Sequence, residues 1–152
     1  MHFPRQYFVL LPMTAAISLL LFSCGESRTA QCNKIIQVAN GAVSEAKSVT
    51  KEGESNDPKA MLKAADAMEK ASQKMEDIEV KDEKLQTYQA GFIKMYLDTG
   101  QATRQFVAAF EQEDRPAAEE ALASLQQATT PEKRLVAEIN NYCSPEVADV
   151  KQ

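Results

Sequence analysis

Three cysteines (Cys24, Cys32 and Cys143) and six methionines are the side chains here best suited to soft-metal binding or covalent linkage. Met61, Met68 and Met75 recur every seven residues, and Met95 follows in the next apolar segment. Thioether sulfur suits Cu(I), so the stripe is a candidate metal-carrying surface. Seven helical residues advance about 10.5 Å. Two sulfurs so spaced do not share one ion without a second helix, whereas methionine fills irregular gaps in apolar cores. Core packing is the preferred reading, and no metal is assigned. The chain has no Gly-rich phosphate loop, no nucleophile elbow and no ligand cluster. Its carboxylates are scattered, with no pair that reads as buried acid and base. The expectation is a non-catalytic protein.

The first residues, MHFPRQYFVLLPMTAAISLLLFSCG, combine a basic start at Arg5, an apolar run from Tyr7 to Phe22 and a close in small residues. That is the layout of a secretory signal. A spanning helix needs about 20 apolar residues; this run is shorter and contains Pro12, Thr14 and Ser18. Leu21-Phe22-Ser23-Cys24 resembles the lipobox of bacterial lipoproteins, with Leu three places before the cysteine and a small residue just before it. Phe22 is bulkier than the family's usual residue there. The resemblance covers only this segment. It implies removal of residues 1–23, thioether-linked diacylglycerol on Cys24 and acylation of the new amine. One acyl chain binds membranes marginally, while two or more hold stably. In a diderm cell, Gly25 after the cysteine points to the outer membrane, facing the periplasm. The alternative is an ordinary signal whose cysteine is accidental.

Cleavage would remove Arg5 and His2, leaving 16 basic against 22 acidic residues and no histidine. Without histidine there is no Ser-His-Asp triad, haem ligation or Glu-x-x-His di-iron pair. An acidic balance without a basic patch argues against nucleic acid. With lipid on Cys24, two cysteines remain in an oxidising compartment. A Cys32–Cys143 disulfide is the simplest expectation; two thiols without histidine are too few for a closed zinc site.

Residues 24–31 read as the lipidated cysteine and a short polar tether, 32–143 as the folded domain, and 144–152 as a short tail. The seven residues after Cys24 reach at most about 25 Å. Four helices are expected. The first spans about 32–51, with Ile35, Ala39, Ala42, Val43, Ala46 and Val49 at helical spacing and Gly41 as a weak point or close contact. The second spans about 58–79, announced by Asp57-Pro58. The third spans about 82–112, carries Tyr88, Phe92, Tyr96, Phe106 and Phe110, and has Gly91 and Gly100 as bend points. The fourth starts at Pro116 behind Asp114. Thr129 and Glu132 form a plausible capping box for a fifth helix. The rhythm Leu122, Leu125, Val136, Ile139, Cys143 favours one helix over about 116–142, kinked at Pro131.

Four helices with short connections pack most simply as an all-α, up-down-up-down four-helix bundle. That topology brings Cys32 and Cys143 to one pole, near the lipid. The distal pole then holds loops 52–57 and 111–115, with Glu52, Glu54, Asp57, Glu111, Glu113 and Asp114 as candidate residues for a basic partner or a cation. No EF-hand spacing is present, so a solvated acidic surface is the plainer reading. A non-enzymatic envelope lipoprotein that binds or scaffolds another envelope protein is the leading functional expectation. The second is a carrier of a small apolar ligand or metal ion, using a groove beside the aromatics of helix three.

Overall fold

The structure, a computed structural model, describes residues 26–50 and 57–144. The signal, Cys24, Glu52, Glu54 and the tail from 145 lie outside them. The described residues form helices and their connections, with no strand. The helices are α1 (Arg28–Val49), α2 (Pro58–Glu76), α3 (Glu83–Glu111), α4 (Arg115–Thr129) and α5 (Glu132–Cys143). Four of the five begin at an oxygen-bearing cap. Ser27, Asp57, Asp82 and Asp114 each accept a backbone N–H of the following first turn, satisfying donors that a helix start leaves orphaned.

The α1 start differs from the expected one. Ser27 adopts an extended conformation (φ −62°, ψ 150°) and accepts the Ala30 N–H at 3.2 Å. Arg28–Gln31 are therefore helical and not tether, and Gln31 is buried. Only Gly25, Glu26 and Ser27 remain between Cys24 and α1.

Pro131 interrupts the last rod without turning it away. Thr130 (φ −52°, ψ −38°) and Pro131 (φ −69°, ψ −19°) keep right-handed helical angles. Thr130 N–H donates to Gln126 O at 3.2 Å and Leu135 N–H to Pro131 O at 2.9 Å. Proline has no N–H to continue the ladder, so the last rod divides into two helices, α4 and α5, where one was expected, with helical angles kept across the junction. The capping box does not form: the Thr129 hydroxyl donates back to Leu125 O at 3.0 Å.

Helix α1 packs on α2, α2 on α3 and α3 on α4; α5 closes onto α3 and α1. The continuous core lies toward the end of the molecule where α1 starts and α5 ends. It is built on Ile35, Met75, Leu85, Phe92 and Ile139, with Tyr88, Met95, Tyr96 and Leu135 around them. The other half buries mainly Ala65, Ala67, Ala102, Ala109, Ala121 and Ala128, with Val107 and Thr103. Helix α3 runs unbroken from Glu83 to Glu111 through both of its glycines. A Cβ on Gly91 would meet Leu135 Cδ2 at 2.7 Å, and one on Gly100 would meet Ala65 O at 3.2 Å. Both mark close approach of a neighbouring helix. Gly41 marks none, for a Cβ there meets nothing within 4 Å.

In the last rod Ile139 is buried as the rhythm predicts and Leu125 is half-buried, but at Leu122 and Val136 the preceding residue takes the inner place. Ala121, Ala128, Leu135 and Ile139 are buried, while Leu122 and Val136 are exposed. The alanines and Leu135 face α3, while Leu122 and Val136 point past it.

Candidate functional site

Cys32 and Cys143 are joined by a disulfide across 111 residues of chain. Around it the start of α1, the α2–α3 turn and the end of α5 converge. Gln31, only 4% exposed, accepts the N–H groups of Lys81 (2.7 Å) and Asp82 (3.2 Å) at Oε1. Its Nε2 donates to Glu26 O at 2.9 Å. Gln86 Nε2 donates to Val80 O, and Gln89 Nε2 to Met75 O and Ile78 O. Amide side chains thus take up most of the turn's free backbone groups, as burial demands.

Asp82 completes this pole. Its Oδ1 accepts from Lys84 N (3.0 Å) and Leu85 N (2.9 Å), and its Oδ2 accepts the Tyr142 hydroxyl at 2.8 Å. Burial alone would raise the carboxyl's pKa. The hydrogen bonds from Leu85, Tyr142 and Lys84, with the charge of Arg28, outweigh burial and hold it below its ordinary value. Burial, then the bond to Asp82, pushes the Tyr142 phenol up. The Arg28 guanidinium and the Lys84 ammonium each lie 5.1 Å from the Tyr142 ring centre, and Tyr88 meets that ring edge-on. Near neutral pH this leaves an ionised carboxylate and a protonated phenol, neither poised to move a proton. The cluster is a clasp.

The acidic candidates divide. Glu52 and Glu54 fall outside the described residues. Asp57 and Asp114 are N-caps, accepting Lys59 N (3.0 Å) and Ala117 N (3.1 Å). Glu111 and Glu113 are exposed at the end of α3. Glu113 has a left-handed backbone, φ 55°. It donates its N–H to Phe110 O at 3.1 Å while Asp114 N–H reaches Ala109 O at 2.9 Å. That is a Schellman closure with glutamate where glycine is usual.

Among the methionines, Met75 and Met95 are core and Met68 packs against it; Met61 is half-buried. No group of three or more His, Cys, Asp or Glu among the described residues is placed to hold a metal ion. Of the α3 aromatics, Tyr88, Phe92 and Tyr96 are buried, Phe106 is half-buried, and Phe110 is 58% exposed.

One substantial concavity does not border those aromatics. It lies between α3 and the α4–α5 rod beside Pro131, about 640 Å³ in volume, floored by Gly91, Met95, Ala102, Ala128 and Leu135. On its rim Lys94 pairs with Asp98 (2.6 Å), and Arg134 pairs outward with Glu138 (3.1 Å). These charges face partners on their own helices, so the groove offers shape and amide groups more than reactivity.

Comparison with family models, with curated proteins and with solved structures finds no match for this chain. The reading therefore stands on residues and geometry. Sequence reasoning missed the clasp of Gln31, Asp82 and Tyr142. Ser27 was a readable N-cap, but no local signal pairs Asp82 with a tyrosine 60 residues later.

Proposed function

We propose that this protein is an extracytoplasmic lipoprotein, anchored through lipid on Cys24, whose helices form a non-catalytic up-down-up-down bundle that binds another envelope protein. The observation that carries the reading is the placement of the Cys32–Cys143 disulfide, at the pole where the chain arrives from the lipobox. Disulfides persist in oxidising compartments, which agrees with export. Helix α1 starts at Arg28, so the tether from Cys24 reaches only about 10 Å and the clasped pole would rest near the headgroups. No helix among the described residues is long and apolar enough to cross a membrane, consistent with attachment through lipid. Pairwise antiparallel contacts support the bundle topology: Glu45 with Lys70, Arg104 with Asp66 and Glu69, Gly91 against Leu135. In a diderm cell the proposed site is the periplasmic face of the outer membrane. Covalent lipid is the only attached group proposed, with no cofactor and no nucleic acid.

Two measurements test this. Cys24→Ala should move the protein from the membrane to the soluble fraction; unchanged membrane association removes the anchor. Cross-linking the lipidated protein in its own envelope should recover one protein reproducibly, and its failure to do so would sink the binding role.

A carrier function is the second reading, favoured by the groove beside Pro131. An apolar ligand or Cu(I) that raises the melting temperature would favour it over the first.

A further inference from the structure

We infer that the seam between α1 and the α4–α5 rod receives an amphipathic helix from a partner protein, with basic residues at the end that meets the α3–α4 turn. This rests on the protein-binding reading above and specifies where the partner sits and what chemistry it carries.

In a closed bundle α1 and the last rod would pack along their length. Here α1 meets that rod through α5, and α1 and α4 share no substantial packing among the described residues. The cause is visible in the core. The half beyond the disulfide end buries mostly alanine, which draws α2, α3 and α4 close but cannot reach across to α1. Large apolar side chains are left on the seam. On α3 the inner line runs Phe92, Tyr96, Thr103, Phe106, Phe110, buried at first and 58% exposed at Phe110. Phe106 and Phe110 stack with ring centres 6.3 Å apart. On α4, Ala121 and Ala128 face α3, so Leu122, one residue or about 100° round, faces the α1 side at 43% exposure. By the same register Val43 of α1 (39%) and Val136 of α5 (40%) turn to this seam. Leu97, the other large apolar side chain well exposed among the described residues, lies on the opposite side of α3.

Size and charge select the occupant. Helix α4 has 15 residues, about 22 Å, so the seam accommodates three to four turns, the helix-in-groove mode of recognition. Its mouth is a concavity of about 510 Å³ around Phe110, edged by Glu111, Glu113 and Asp114. Among the described residues lining it, the one cation, Arg115, is bonded to Glu119 at 3.0 Å. The negative end of the α3 dipole adds to the field. A basic helix end is attracted to this mouth. A second copy, of net charge −5, and a fatty carboxylate would both bring like charge.

The test uses the full chain and fluorescence anisotropy with a labelled leucine–lysine amphipathic peptide and its leucine–glutamate twin. The lysine peptide should bind and the glutamate twin should not. Combining Phe110→Ser with Leu122→Gln, both at exposed positions, should weaken binding about tenfold or more. Leu97→Gln should bind like the unaltered chain and shows that any exposed apolar loss is not enough. Combining Glu111→Gln with Glu113→Gln should weaken binding and flatten its salt dependence. Equal binding of both peptides, or binding unchanged by the Phe110 and Leu122 substitutions, overturns the inference. So does a dimer that dissociates on Leu122→Gln, which would give the seam to a second copy, or displacement of the peptide by palmitate, which would give it to an acyl chain. If envelope cross-linking recovers the same protein from the unaltered and Leu122→Gln chains, the seam is excluded while the protein-binding reading stands.

Discussion

Reducing the Cys32–Cys143 disulfide should cost most of the stability of this fold. The bridge closes a loop of 111 residues. Loop-closure entropy for that length is about 16 cal/mol/K, or about 4.8 kcal/mol at 25 °C. Domains of this size are stable by about 5–15 kcal/mol in total. The core here is unevenly filled, with alanine dominating one half, so a value toward the low end is expected and reduction should leave a marginal fold. Urea titrations followed by circular dichroism, on oxidised protein and on protein held in a phosphine reductant, measure the difference directly. Cys32 is 1% exposed, so replacing both cysteines by alanine should cost about 1 kcal/mol more than reduction, because a small cavity is added. The slope of the transition should rise on reduction as the unfolded chain expands. If oxidised and reduced protein agree within about 1 kcal/mol, or if mass spectrometry finds two free thiols in protein purified without reductant, the closure argument fails.

Asp82→Ala should destabilise by about 1–2 kcal/mol at pH 7, through loss of the α3 cap and of the Tyr142 hydroxyl's acceptor. The Asp82 carboxyl is lowered from 3.8 in the fold, so its contribution is full above that unfolded value and is lost as pH falls through the lower folded one. The gap between the two chains should therefore narrow only below about pH 4, and a gap constant down to pH 2 would count against the clasp. Glu113→Gly should stabilise by about 0.5–1 kcal/mol, relieving the left-handed backbone and removing a charge from the wrong end of α3; thermal melts decide it. Gly41→Ala should stabilise by about 0.5–1 kcal/mol, since nothing lies within 4 Å of the added methyl. Gly100→Ala should have the opposite sign, because Ala65 O stands 3.2 Å from the new Cβ; matching signs in paired urea titrations would contradict the α2–α3 approach.

Helix type and extent were legible because they depend on local chemistry. Asp57-Pro58 starts α2 and Asp114 starts α4 in the structure as on the page. Ser27 was equally readable, yet the polar run Glu26–Thr29 masked it as tether. What failed was helix rotation. Leu122 and Val136 repeat at helical spacing and look like core, but spacing fixes a stripe and not its partner. In the structure Ala121, Ala128 and Leu135 take the inner line, since α3 comes close where one of the facing residues is small, as Gly91 is opposite Leu135. The acidic loops were legible as composition alone. That Asp57 and Asp114 are spent on capping follows from their position before a helical proline or arginine, whereas the strained backbone of Glu113 has no sequence signal at all.

The two halves of the molecule have opposite constructions. Near the disulfide, large side chains interlock, and Gln31, Asp82 and Tyr142 tie three separate segments together. Such a unit opens rarely, and only with most of the fold. Toward the α3–α4 turn, the residues buried between the helices are mainly alanines, and Phe110, Leu122 and Val43 stay wet. Exposed apolar side chains scattered singly need no explanation, but a contiguous set on one seam does. Filling that seam with larger alanine replacements, such as Ala118→Leu beside Phe110, should therefore raise stability while lowering binding of the lysine peptide. A flexible surface with no occupant would gain stability and lose nothing, so the two effects measured together separate a binding seam from a poorly packed one.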